Sequence, residues 1–468
     1  MKLICVGHQR LYDLQSMASA FFPGESTHEG MPEVVSEMVR QPMWGCRTVL
    51  RAENGEYDAF VACDDEGDSA VRDAVKRSFF AATVKYTGFK PDWGVFTGIR
   101  PAREFGRMDL SVKDFAETFE MAEHKAKLCA DIVRVRNSIA VPTALEDISL
   151  YISIPFCPTR CTYCSFISGA GEKMLGLVPE YLVALRREIL AIAELVGRLG
   201  LRVRTVYIGG GTPATLSAEQ LDGLCRLITD CFGGDLMEFT VELGRPDVIT
   251  EAKLAAVYEG GADRICINPQ TLNDSILAAI GRRHTTEQFE SAMQMASRFD
   301  FHAINCDLIA GLPNDTADGF ARSLEGVLAL GAQNVTVHSL CIKQGSDLKH
   351  NGADVVRSKA AAQMVNGSIT RLSGCGYDPY YLYKQKHAVA ALENTGWAKP
   401  GTASLYNMIM MDDLGSVIGA GAGSSTKILG NGSLQRVYSP KYPYEYLRDA
   451  EHLEEKIKKI EGMLNNRA

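Results

Sequence analysis

Tyr151-Ile-Ser-Ile-Pro-Phe-Cys157-Pro-Thr-Arg-Cys161-Thr-Tyr-Cys164 puts three thiols in eight positions, immediately after a short apolar run. Thiolates are soft ligands, and at this spacing they select an iron–sulfur cluster or zinc. A closed structural zinc site asks for four ligands, yet the nearest other cysteines are Cys129 upstream and Cys225 downstream. Three protein ligands on a cubane leave one iron open, which is what chemistry on a bound small molecule needs. Two blander readings stand beside it: a zinc site completed from a distance, and cysteines that merely share a core.

Working outward, residues 148 to about 340 show a strand–helix rhythm. Ile148–Ile154, Arg204–Gly209, Glu238–Leu243, Asp263–Asn268, Ala303–Ile309 and Asn334–Leu340 are apolar and β-branched, as parallel strands covered on both faces are. Helix starts fall in the gaps. Pro179 opens one helix, and Ser217 with Gln220 and Thr285 with Gln288 form capping boxes. Six such units predict an α/β fold, a partial (β/α)6 TIM-type barrel, with an open flavodoxin-like sheet as the competing arrangement. The polar residues of these units sit at the C-terminal strand ends, where α/β barrels place active sites.

Before this core, residues 1–145 read as a small α/β domain. Lys2–Val6, Arg47–Arg51 and Asp58–Cys63 are strand candidates, and Ser69–Tyr86 is a helix candidate. The segment Trp93–Pro101 leads into helices over about 112–137, and Ser138–Ile148 reads as the linker. No catalytic constellation shows there. After the core of 146–345, residues 346–468 form a mixed α+β C-terminal region expected to cover the substrate. It holds an aromatic cluster (Tyr377–Tyr383), a glycine-rich turn (Gly419–Gly423) and a charged last helix from about Tyr444.

Composition sets the class. Of 468 residues, 46% are hydrophobic and 23% charged, the balance of a globular chain with a deep core. The formal charge of −8 argues against a general nucleic-acid partner. No uninterrupted apolar run is long enough to span a membrane, and the start MKLICVGHQR is no secretory leader. The expectation is a cytoplasmic protein without a membrane span. Ten of the 13 cysteines are scattered, which suits reduced thiols used as small core residues rather than a disulfide framework.

Tyr207-Ile-Gly-Gly-Gly-Thr-Pro213 follows the second strand, and its glycines let backbone approach a ligand closely. Glu242 in FTVELGRP, Gln270 in ICINPQTLND, Asp307 in INCDLIAGLP and His338 in VTVHSL are single polar residues at strand ends. A carboxylate there can bind ribose hydroxyls, while a plain loop or cap role is the alternative for each.

CxxxCxxC after a first strand resembles the radical S-adenosylmethionine superfamily. The longer string YISIPFCPTRCTYC resembles its branch of oxygen-independent coproporphyrinogen III oxidase and relatives. The resemblance implies a 4Fe-4S cluster on Cys157, Cys161 and Cys164, with S-adenosylmethionine chelating the open iron. Reductive cleavage then yields a 5′-deoxyadenosyl radical that takes a substrate hydrogen. GGGTP at Gly209–Pro213 resembles the methionine-binding segment. By the same similarity Tyr151, Gly210 and Glu242 would touch the cluster-bound S-adenosylmethionine. Tyr163, Gly211, Thr212, Gln270, Arg282 and Asp307 match positions assigned to a second one.

Within the branch, three outcomes compete: coproporphyrinogen III dehydrogenation to protoporphyrinogen IX in haem biosynthesis, haem carriage by a chaperone, and radical haem breakdown. The oxidase pattern has a fourth Cys where this chain has Phe166, and a His where it has Ser153. The chaperone pattern HNxxYW has no counterpart in Leu405–Met411, which lacks the His and the Trp. WGVFTGIRP and YYLYKQKHAVAALENTGW resemble the coproporphyrinogen dehydrogenase-like subgroup of the HemZ type. The implied enzyme is an oxidoreductase, active only without oxygen, served by an electron donor such as flavodoxin or ferredoxin. Its implied substrate is a porphyrinogen or haem-like small molecule. Arg160, Arg283, Lys384 and Lys386 are candidate propionate partners, and Tyr380, Tyr381 and Tyr383 could line a macrocycle pocket or simply fill a core.

Overall fold

The computed structural model describes all residues except 23–26, 42, 165–168, 342–354, 386–387, 431–432, 449–451 and 468, and the side chains of 355–357. Phe166 and Lys386 therefore lie outside the described residues. The chain begins with β1 (Lys2–Val6), β2 (Glu33–Val39), β3 (Gly45–Ala52) and β4 (Gly55–Ala62), which form one sheet in that order. β1 runs parallel to β2, and the rest is antiparallel. Helices Leu11–Phe21 and Asp68–Thr87 are buried through one apolar face each, and the Phe21 ring meets those of Phe79, Phe80 and Phe89.

β5 (Asp147–Ile154) starts the second sheet, and a two-residue pair, β6 (Phe156–Cys157) with β7 (Gly169–Ala170), follows it. Then come β8 (Arg202–Gly210), β9 (Glu238–Gly244), β10 (Arg264–Ile267), β11 (Ala303–Ala310) and β12 (Asn334–Ser339). Five more strands follow: β13 (Asp378–Lys384), β14 (Glu393–Ala398), β15 (Ser416–Ala420), β16 (Ser425–Gly430) and β17 (Ser433–Tyr438). All six core strands expected from the sequence are present. Both predicted capping boxes form, and Pro179 sits in the first turn of Val178–Arg198.

Strand order decides between the two arrangements considered for the core. It is β13-β14-β12-β11-β10-β9-β8-β5-β15-β16-β17, so the six parallel strands lie side by side in chain order. A flavodoxin-like sheet reverses direction at a switch point. With right-handed crossovers throughout, an unreversed order keeps every helix on one face and curls the sheet towards a barrel. The barrel stays partial because β5 pairs with β15 rather than β12. What the sequence presented as a mixed tail extends the sheet at both edges. Strand partners are chosen across the whole fold, and local pattern does not announce them.

The segment after Trp93 is anchored to the β13–β14 edge. Trp93 Nε1 donates to Glu393 Oε2 at 2.7 Å, and Lys125 Nζ meets Glu393 Oε1 at 2.5 Å, with Lys125 and Glu393 wholly buried. Lys384 points to this side, donating to Phe96 O at 3.0 Å with its ammonium 4.9 Å from the Trp93 ring centre. Alternation along β13 explains this: Tyr383 faces the cavity at the ends of the parallel strands, and Lys384 turns away from it. That removes Lys384 from the candidate propionate partners. Tyr380 and Tyr381 likewise sit in a core with Val135, Ala398 and Met408. Among the described residues no helix is long and apolar enough to cross a membrane.

Burial pushes the Lys384 ammonium down to about 7 from 10.5, against the pull of Glu393. Between those values the unfolded chain holds a proton that the folded chain lacks, so stability should rise as pH rises from 7 to 10.5. Denaturant midpoints measured across that window should show a smaller rise in Lys384→Met than in the unmodified protein. Equal slopes would refute the assignment.

Candidate functional site

The C-terminal ends of the parallel strands enclose a cavity of about 220 Å³. Eleven of the twelve residues expected from the sequence line it: Cys157, Cys161, Cys164, Tyr163, Gly210, Gly211, Thr212, Glu242, Gln270, Arg282 and Asp307. Tyr151 does not. Its ring stacks on Tyr207 with centroids 6.3 Å apart, and Tyr207 stacks in turn on Tyr406 at 4.8 Å. The Tyr207 hydroxyl donates to Glu242 Oε2 at 3.1 Å, so Tyr151 reaches the cavity only through that ring.

Backbone and two arginines shape the cysteine loop. Cys157 ends β6, and Thr212 Oγ1 donates to its sulfur at 3.4 Å. Gly211 runs so close that a Cβ there would stand 2.5 Å from Phe156 O and 2.9 Å from Cys157 Sγ, so only glycine fits. Arg245, buried and paired with Asp247, reaches Thr159 O at 3.4 Å. Arg282 donates to the Tyr163 hydroxyl through Nε and Nη2 (3.3 and 3.2 Å) and to Asn268 O through Nη1 (3.0 Å). Burial works against its charge, but Tyr163 and Cys161 outweigh burial and hold its pKa above the ordinary value. Burial also pushes the Tyr163 phenol up. Among the described residues no three His, Cys, Asp or Glu side chains converge as ligands of a single metal ion. The three thiols share one cavity instead.

Gln270 is held in a left-handed backbone conformation, φ 69°. Such strain in a non-glycine residue costs about 1–3 kcal/mol and persists only where the surroundings impose it. Here β11 imposes it: Gln270 N donates to Asp307 O, and Ile309 N donates to Gln270 O, both at 2.9 Å. The side chain is buried, and its Oε1 has no protein donor; the Asn268 Oδ1 has none either. Two orphaned acceptors on one cavity are what a donor-bearing ligand would satisfy.

Three ionisable groups share the far side. Asn394 Oδ1 already accepts the Ser339 N–H at 3.0 Å, so His338 Nδ1, 3.3 Å away, must donate to it. His338 Nε2 lies 3.5 Å from Asp307 Oδ2, a placement that favours the protonated ring. Burial opposes its charge, but Asp307 outweighs burial and raises its pKa. Burial would raise Asp307 too, yet His338, Asn305 and Thr336 together hold it below the usual range. For Glu242 burial, then Asp307, outweigh the hydrogen bond from Tyr207 and push it up to about 8.

The cavity also contains residues the sequence reading passed over. Arg245 and Asn268 stand in the quoted segments FTVELGRP and ICINPQ, within three residues of a chosen position, and their strand-end placement was a usable signal. Asn394 comes from the antiparallel β14, which no local pattern tied to the site. Cys341, counted among the scattered core thiols, lines the cavity as well. Arg160 lines it, while Arg283, which follows Arg282 in the chain, is exposed.

The radical SAM superfamily model matches residues 151–326. The chain is 34% identical over 431 residues to the oxygen-independent coproporphyrinogen-III oxidase-like protein HemZ of Bacillus subtilis, covering 88% of this chain and 86% of that one. It is 31% identical over 262 residues to the heme chaperone HemW of the same organism, covering 56% and 66%. The fold matches coproporphyrinogen III oxidase (HemN) from Escherichia coli, a radical SAM enzyme, with a TM-score of 0.52 at 21% identity over 70% of this chain and 72% of that one. Three thiols on a first-strand loop, a glycine segment against them and near full-length similarity to HemZ agree: the chain belongs to the radical SAM superfamily, in its branch of oxygen-independent coproporphyrinogen III oxidase-like proteins.

Proposed function

We propose that this protein carries out oxygen-independent oxidative decarboxylation of a porphyrinogen propionate, with coproporphyrinogen III as substrate. One observation carries the reading most: eleven residues from separate strands and loops meet at one cavity whose buried acceptors lack donors. Cys157, Cys161 and Cys164 would hold the cluster. Glu242, Asn268 and Gln270 offer acceptors to the ammonium, hydroxyl and amine donors of S-adenosylmethionine. The residues present fit both groups, since the thiols are soft ligands and Gly211 leaves room that a Cβ would fill.

When bound, an open-iron cluster and S-adenosylmethionine supply one-electron cleavage chemistry able to take hydrogen from an unactivated carbon. The chain's own part is positioning. Arg282 and Arg245 fix the loop that carries the thiols, and Thr212 donates a hydrogen bond to the Cys157 sulfur. His338 can hold a proton at Nε2 against Asp307 on the side of the cavity opposite the thiols. Residues 346–468 supply Tyr383, Gln385 and Asn394 to the cavity, in line with a covering role. The divisions at 145 and 345 belong to the same proposal.

The test is anaerobic incubation of the reconstituted protein with S-adenosylmethionine, reductant and coproporphyrinogen III, followed by chromatography. Deoxyadenosine together with a vinylated product is expected. Deoxyadenosine alone would reject the substrate, and stoichiometric haem binding without turnover would favour a carrier, as the similarity to HemW allows.

A second expectation concerns pH. An ionised Glu242 accepts hydrogen bonds more strongly and suits a cationic ligand, so its pKa of about 8 should govern affinity. Binding of S-adenosylmethionine should tighten by up to about tenfold per unit as pH rises towards 8, then level off. Glu242→Gln should bind weakly and without that dependence. A pH-dependent Glu242→Gln would show that another group titrates.

A further inference from the structure

Away from the cysteine loop, the N-terminal part carries an open cleft of about 720 Å³, within the ~300–1,000 Å³ range of small-molecule sites. Helix Asp68–Thr87 supplies Arg72 and Lys76 to one side; Arg100 and the following helix Pro101–Met108 supply Arg103 and Arg107 to the other. Asp73 and Glu104 line it too, but the balance is positive, in a chain whose formal charge is −8.

Most of these cations have partners. Arg72 pairs with Asp13 at 2.8 Å and Arg107 with Glu104 at 2.5 Å. Arg100, Arg103 and Lys427 all converge on one carboxylate, Asp413. Crowding of like charge follows: burial, then Arg100, Arg436 and Arg103, push Lys427 down to about 7. Lys76 stands apart. It is only 7% exposed, and no described residue gives its ammonium a hydrogen bond or an ion pair. The stem is buried while the ammonium opens onto the cleft, so a polyanionic ligand seated beside the arginines would find an unpaired cation there.

The rim narrows the ligand class. Phe96 and Phe119 line the cleft, as does Ile99, whose side chain is half exposed, so apolar surface lies next to the cations. The floor is Phe96–Ile99, and the same segment borders a small cavity that it shares with Gln385. Gln385 also lines the cavity at the cysteine loop. Lys384 N bonds Ile99 O at 2.8 Å, so floor and β13 are joined directly. A flat apolar body with carboxylates at its edge matches this surface, and the floor is hydrogen-bonded to the strand whose next residue lines the proposed catalytic cavity.

We propose that the cleft is a second tetrapyrrole site, where Lys76 and the arginines receive propionate carboxylates. The identity of the ligand rests on the function proposed above; the anion site rests on Lys76 and its neighbours. The test is fluorescence titration of the cluster-reconstituted full chain with coproporphyrin III, a stable tetracarboxylate, beside its neutral tetramethyl ester. The free acid is expected to bind, more weakly as salt rises, and the ester not to bind. Lys76→Met and Arg103→Gln should each weaken one equivalent at least tenfold. Arg103 is half exposed, so its variant keeps the test decisive if Lys76→Met fails to fold. Equal binding by the variants, or equal binding of the ester, overturns the proposal. So does Lys76-dependent binding of inorganic pyrophosphate with none of coproporphyrin III, which would make the site one for phosphates. Turnover with variant-insensitive binding would leave the proposed reaction standing and remove this site; variant-sensitive binding without turnover would do the reverse.

Discussion

Cys161→Ala is expected to abolish the roughly 400 nm absorbance of a thiolate-ligated cluster and to bring deoxyadenosine formation down to that of the protein-free blank. Cys161 is buried in the loop between β6 and Arg282, whose charge it helps to sustain, and the loop offers three thiols with none to spare. Cys341 lines the same cavity, so recruitment of that thiol is a local route to rescue. The double variant Cys161→Ala/Cys341→Ala closes it. Iron, sulfide and colour retained at the parental level in both variants would contradict the ligand assignment. Loss in the double variant alone would instead show that Cys341 can stand in.

Glu393→Ala is expected to destabilise the fold by about 3–5 kcal/mol, measured by urea unfolding. The carboxylate is wholly buried between Lys125 and Trp93 and accepts from both. Removing it leaves an ammonium and an indole N–H without an acceptor, with the Lys384 ammonium close by. Lys125→Met combined with Glu393→Leu should cost markedly less, because an ion pair replaced by apolar groups leaves no stranded charge. A Glu393→Ala protein within about 1 kcal/mol of the parent would mean that water or another donor satisfies the site, and the pair would lose its role as the staple between the Trp93 segment and the β13–β14 edge.

Legibility followed locality. β5, β8, β9, β11 and β12 could be placed to within a residue or two because each is a short apolar run on a sheet buried on both faces. The capping boxes at Ser217 and Thr285 could be read because their partners lie three residues away. Glu242, Gln270 and Asp307 could be picked out as polar residues where apolar strands end. β2 and the helix Leu11–Phe21 were not singled out, and which side Lys384, one of several candidate propionate partners, would face depended on its pairing with β14.

By itself the sequence placed the candidate ligands: three thiols at CxxxCxxC spacing, a glycine segment one strand later and acceptors at strand ends, all set by covalent neighbours. Tertiary structure alone decided which strands flank the barrel, that Asn394 and Cys341 join the site, that Tyr151 stands one ring back from it, and that cations distant in sequence gather around Lys76. Those outcomes depend on contacts between segments hundreds of residues apart, such as Trp93 with Glu393. Such contacts leave no periodic trace in the chain, because a strand's partner and a charge's counter-ion are chosen only when the whole core closes.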